Sequence, residues 1–185
     1  KWIHVAKIMG CHSIRVNAFG ASDPSIFKAS LIDGLSQLAN YAAKEEINIL
    51  IENHGLFSSN AQLISSIIKE INLPNIGTLP DFGNWCLSAQ WGSTQDGSCL
   101  EMYDPYLGVE TLLPYAQGVS AKAYNFHANG VHRNFDYEKM LLLVKAQNFN
   151  GHIGIEYEGT ELSEADDIRA TKKHLEDVWE KIWMS

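Results

Sequence analysis

Apolar residues recur along this chain in two alternating rhythms, one of three to four residues and one of two, and the alternation predicts its elements. KWIHVAKIMG (1–10) sets Trp2, Val5, Ala6 and Met9 at helical spacing with Gly10 as a C-terminal cap. HSIRVN (12–17) predicts a strand. The next helix, over 22–45, starts from Ser22 or Asp23 as N-cap with Pro24 in the first turn, and lines up Leu31, Leu35, Leu38 and Ala42 on one face. INILIEN (47–53) predicts the second strand, followed by a helix over about 60–71 that Pro74 stops. NIGTLPDF (75–82) is the third strand. A long polar loop through GSTQDGS (92–98) leads to a helix opened by Asp104 and Pro105 and limited by Pro114. VSAKAYN (119–125) and GHIGIEYEG (151–159) are the fourth and fifth strands, with a helix over about 136–147 between them and a last helix over 163–183. Strands alternating with helices predict a parallel sheet.

Side chains alternate with period two along a strand, so residue parity sorts each strand into two faces. Ile47, Ile49 and Ile51 share one face of the second strand, and Asn48, Leu50 and Glu52 share the other. Ile153, Ile155 and Tyr157 repeat the first pattern, while His152, Gly154 and Glu156 repeat the second, which matches Glu156 to Glu52. By the same parity Arg15 and Asn17, then Leu79 and Asp81, then Ser120, Lys122 and Tyr124 belong to the polar-ended face. In a (β/α) barrel, strand C-termini and their following loops build the site, so Asn17, Glu52, Asp81, Lys122 and Glu156 are expected to converge on one cavity.

Composition narrows the picture. The 185 residues, 45% hydrophobic, suffice for one sizeable core, and the formal net charge of -8 disfavours nucleic acid or an anionic lipid surface as the principal partner. Neither a run of about 18 apolar residues nor a signal-peptide pattern occurs, so no membrane span is expected. Cys11, Cys86 and Cys99 are odd in number and lack paired zinc spacing. They read as reduced thiols of a soluble, cytoplasmic protein. The chain opens within a helical pattern, with no N-cap and no Met, which predicts a single domain over 1–185 whose N-terminal part is missing.

Three carboxylates sharing a water-poor cavity repel one another, so either their pKa values rise or a cation sits among them. Solvated loop acids, or acids paired with Lys122 and Arg15, are the alternative. Oxygen ligands suit Mg²⁺ or Mn²⁺, and an added imidazole shifts the balance toward Mn²⁺, Co²⁺ or Zn²⁺. His127, in the loop after the fourth strand, is the best-placed imidazole, although loop histidines are more often simply solvent-exposed. His54, following Glu52 toward the cavity mouth, Asn84, three residues past Asp81, and Lys122 are candidate substrate-binding groups, with Asn17 and Glu158 beside them. Phe82, Trp85, Tyr124 and Phe126 are candidate apolar walls, with core packing as the alternative. No G-x-S-x-G, Walker A or G-x-G-x-x-G signature is present.

Glu52 in IENHG, Asp81 in LPDFGN, the AKAYNF segment and Glu156 in GIEYEG together resemble the xylose isomerase-like TIM-barrel superfamily. The resemblance runs over nearly the whole chain and implies about the last five βα units of a (β/α)8 TIM barrel, about three units short of the ~250 residues typical of the fold. It implies metal-dependent isomerisation or epimerisation of a sugar or sugar phosphate, with Glu52 and Glu156 moving a proton through a cis-enediolate. Glu52, Asp81 and Glu156 fall on the first, second and fourth metal-ligand positions of the epimerase pattern, and Ser120 stands where that pattern has a His. An inositol-type dehydratase and a non-catalytic sugar-binding barrel are the alternatives that the same resemblance leaves. The DNA-repair endonuclease branch needs more histidines and a basic surface. The expected partner is a small sugar rather than nucleic acid or membrane, and a homo-oligomer is compatible with the sequence.

Overall fold

The computed structural model describes residues 1–89, 92, 99–126 and 135–184. Helix α1 (Trp2–Ile8) leads into β1 (Ser13–Asn17), α2 (Pro24–Ala43), β2 (Asn48–Glu52), a 3₁₀ turn (Leu56–Ser59), α3 (Ala61–Ile71) and β3 (Ile76–Leu79). The chain continues through α4 (Pro105–Leu112), a second 3₁₀ turn (Leu113–Tyr115), β4 (Val119–Ala123), α5 (Tyr137–Ala146), β5 (Ile153–Tyr157) and α6 (Glu164–Met184).

Side-chain caps fix where four of these helices start. The Asp23 carboxylate accepts from the Ser25 and Ile26 amides, Asn60 from Leu63, Asp104 from Leu107, and Asp136 from Glu138 and Lys139, each satisfying first-turn N–H groups that have no helical partner. Helix α3 ends earlier than Pro74 requires, because Asn72 adopts a left-handed conformation (φ 48°) and closes the last turn.

Among the described residues the strand pairs are parallel and run in chain order. β1 pairs with β2 and β2 with β3, while β4 pairs with β5. Between β3 and β4 the ladder narrows to two bridges, Thr78–Ala116, where Gln117 N–H donates to Thr78 O (3.1 Å), and Asp81–Ser120, carried by Ser120 N–H to Pro80 O (2.9 Å) and Phe82 N–H to Ser120 O (3.0 Å). The third strand is therefore shorter than expected. Pro80 has no N–H to give the ladder, and regular pairing stops ahead of it. The arc curls far enough that the rings of His12 and His152, one residue ahead of β1 and β5, stack at 5.9 Å.

Helices cover the isoleucine face. Ile49 and Ile51 pack with Ile64 and Ile67 of α3 in one buried cluster. Helix α1 keeps only part of its expected face: Ala6 is buried, joined by Ile3, whereas Trp2 (71%) and, just past the helix, Met9 (74%) are exposed. This helix packs against β1 at the outer end of the arc, so only a narrow stripe finds a partner.

The cysteine expectation is overturned. Cys86 and Cys99 form a disulfide with Cα atoms 5.8 Å apart, and Cys11 is free and exposed. Hydrogen bonds from Leu87 N–H to Glu101 O (2.8 Å) and from Tyr103 N–H to Trp85 O (2.9 Å) lay the two segments side by side, and this brings Cys99 back to Cys86. No described helix is long and apolar enough to cross a membrane.

Candidate active site

The sheet delivers three carboxylates to one point. Glu52 ends β2, Asp81 follows β3 and Glu156 lies in β5, and one ligand oxygen from each falls within 4.8 Å of the others. Glu52 and Asp81 are wholly buried; the Glu156 side chain is 34% exposed. Together with Glu52 and Glu156, the residues Arg15, Leu50, Leu79, Ser120, His152 and Gly154 line an open-sided cavity of about 420 Å³.

Each acid has a different set of partners. Glu52 Oε2 is ion-paired with Arg15 and lies 3.8 Å from His54 Nε2, while Oε1 has no hydrogen-bond partner. Asp81 Oδ1 accepts from the Gly83 amide at 2.8 Å, and Oδ2 has none. Glu156 accepts from the Ser120 hydroxyl at 3.2 Å, and its Oε1 lies 3.1 Å from the Lys122 ammonium. Lys122, with no exposed surface, also reaches Glu158 Oε1 at 3.0 Å. Its stem needs Gly83, because a Cβ there would come within 2.6 Å of Lys122 Cγ.

Electrostatics follows from this burial. Desolvation, reinforced by Asp81 and opposed by Arg15, pushes the Glu52 carboxyl up to about 8. Desolvation raises Asp81 to about 7 against the pull of the Lys122 charge. For Lys122 burial acts downward, but Asp81, Glu156 and Glu158 outweigh it and hold the ammonium protonated. Burial lowers His54, which favours its neutral form. With every acid ionised, the four carboxylates of Glu52, Asp81, Glu156 and Glu158 would face, among the described residues, the two ion-paired cations Arg15 and Lys122, an excess of two negative charges.

The other expected residues sort clearly. His54 lies half-buried beside the cluster, its ring edge-on to Phe19 at 6.2 Å. Asn84 is buried and presents its backbone carbonyl to Asn53 and Ser59. Asn17 stands exposed at the end of β1, in register with Glu52 but outside the carboxylate group. Phe82, Trp85 and Tyr124 are core residues, while Phe126 is half-buried. His127, and the polar loop over 93–98, lie outside the described residues.

One contributor escapes strand parity altogether. Asn53 Oδ1 accepts from the Asp81 amide at 2.7 Å, and its Nδ2 donates to the carbonyls of Asp81 and Asn84 at 3.0 Å each. It clasps the Asp81 loop to the end of β2. An amide directly after the strand-final Glu52 is the available signal, and it gains meaning only once β2 and β3 are known to be neighbours.

An arc of parallel βα units carrying acids at its strand C-termini defines a barrel of the (β/α) kind, with its chemistry at the C-terminal face. The chain belongs to the family described as xylose isomerase-like TIM barrel, whose sequence profile it matches over residues 1–178. No curated protein matches the sequence. Among solved structures, a xylose isomerase domain protein from Planctomyces limnophilus superposes with a TM-score of 0.72 at 17% identity, covering 99% of this chain and 63% of that one. A D-tagatose 3-epimerase-like protein gives 0.72 at 20% identity, with 98% and 67% covered. A xylose isomerase-like TIM barrel protein from Mycobacterium smegmatis, solved in complex with magnesium, gives 0.66 at 16%, with 96% and 63% covered. The chain thus spans about two thirds of the length of these relatives, as a partial barrel of five strands does.

Proposed function

We propose that this chain carries the active-site portion of a divalent-metal-dependent isomerase or epimerase of a sugar or sugar phosphate. The observation that supports this reading best is the meeting of Glu52, Asp81 and Glu156, from the second, third and fifth strand units, within 4.8 Å. A cation fits these residues. Two buried oxygens, Glu52 Oε1 and Asp81 Oδ2, have no hydrogen-bond partner, and ionising every acid would leave two negative charges that Arg15 and Lys122 do not compensate. Glu52, Asp81 and Glu156 would hold Mn²⁺ or Mg²⁺, which supplies positive charge to a substrate carbonyl oxygen.

The chain's own groups do the proton work. Glu156, the acid with solvent access, takes a proton from the carbon beside the substrate carbonyl. Glu52, on another strand and held by Arg15, returns one. Return to the same carbon from the other face gives the epimer, and return to the former carbonyl carbon gives the isomer. Lys122 and Ser120 hold the Glu156 carboxylate and Asn53 holds the Asp81 loop, while His54, beside Glu52, and Glu158, beside Lys122, are the groups nearest the acids that would meet sugar hydroxyls.

The test is proton exchange. Incubated with Mn²⁺ in D₂O, a panel of keto sugars and their phosphates should yield one that gains deuterium beside its carbonyl by NMR. Glu156→Gln should slow that gain by about 10²-fold or more. Unchanged exchange in Glu156→Gln would remove the two-glutamate mechanism, and sugar binding without any exchange would mark a binding barrel.

A further inference from the structure

We infer that the metal centre of the proposed function is an all-oxygen site, and therefore that its preference for Zn²⁺ relative to Mn²⁺ and Mg²⁺ is weaker than that of a site with an imidazole ligand. The inference rests on that proposed reading and adds the selectivity of the site. The three acids that gather contribute oxygens alone. On β4, between the strands that bring Asp81 and Glu156, the residue bridged to Asp81 is Ser120, whose hydroxyl donates to Glu156 Oε2 at 3.2 Å. A fourth donor from this strand is again an oxygen.

The nitrogens nearby do not change this. Lys122 and Arg15 are cations without a lone pair to offer, and both are already ion-paired with the acids. The ring of His54 faces Glu52 from 3.8 Å, and its nitrogens are not among the ligand atoms that come together. Among the described residues the cluster has no nitrogen donor. Hard oxygen sets suit Mg²⁺ and Mn²⁺, whereas imidazole raises affinity for Zn²⁺ and Co²⁺. With every acid ionised, the charge that Lys122 and Arg15 would leave uncompensated is that of one divalent ion.

Pulsed EPR on the Mn²⁺-loaded full chain reads the donor set directly. The bound ion should show no coupling to a ligating ¹⁴N. Ser120→His should introduce that coupling and raise Zn²⁺ affinity relative to Mn²⁺ by about tenfold or more in competition dialysis. A ¹⁴N coupling in the unsubstituted chain, lost in His54→Ala or His127→Ala, would overturn the all-oxygen inference while leaving a metal enzyme intact. A spectrum of free aqueous Mn²⁺ alone would overturn the metal reading itself. The unsubstituted chain's spectrum decides the point even if Ser120→His fails to fold.

Discussion

Replacing Glu52 with Gln should stabilise the metal-free protein, and should do so only above mildly acidic pH. The unfolded chain ionises this carboxyl near 4.5, while the folded chain keeps its proton until about 8. Between those values the folded state binds more protons, so stability falls as pH rises, with the full penalty present above about 8. Each unit of displacement corresponds to about 1.4 kcal/mol, which sets a ceiling of about 5 kcal/mol. Water reaching a cavity open on one side reduces this to about 2–3 kcal/mol. Arg15, 41% exposed, loses its partner at little cost. Urea and thermal melts in chelator at pH 9 should therefore place Glu52→Gln about 2–3 kcal/mol, or about 5–10 °C, above the parent. At pH 4.5 and below the two should converge. Adding Mn²⁺ should raise the parent far more than the variant. Equal stability at pH 9, or a less stable variant, would refute the description of Glu52 as a strained buried acid.

Other substitutions probe the supporting structure. Lys122→Met leaves Asp81 buried beside two acids without their ammonium and should destabilise the protein by about 3 kcal/mol in urea melts at pH 8, with partial recovery in Mn²⁺. Gly108→Ala places a methyl 2.2 Å from the buried Trp85 ring and should lower stability by about 1–3 kcal/mol, with altered Trp fluorescence. Reduction of the Cys86–Cys99 bridge, which spans 13 residues, should destabilise the parent by about 3 kcal/mol and leave a Cys86→Ser/Cys99→Ser protein unaffected. The outer edges of β1 and β5 pair with no described strand, so light scattering after size exclusion should show concentration-dependent association. A monomer at every concentration would count against that exposed-edge reading.

Local signals made much of this architecture legible. Asp23, Asn60, Asp104 and Asp136 announce helix starts because a side-chain cap acts within three residues, and strand parity aligned Glu52 with Glu156 because the pleat is regular. What depends on distant neighbours was hidden. The buried face of α1 is chosen by a single packing partner, and the Cys86–Cys99 bridge follows from the pairing of 85–87 with 101–103. The Asn53 clasp exists because two loops meet, and no periodicity in either one encodes it. Lys122 was visible as an inward residue. Its complete burial between two acids became evident only with β4 and β5 side by side.

The central claim, that Glu52, Asp81 and Glu156 form a divalent-metal site, is tested most directly by anomalous diffraction at the manganese edge from crystals soaked in Mn²⁺. The account predicts one strong peak per chain within bonding distance of all three carboxylates, absent in Asp81→Asn. No peak there, with the Lys122 ammonium and Arg15 satisfying the acids instead, would contradict it.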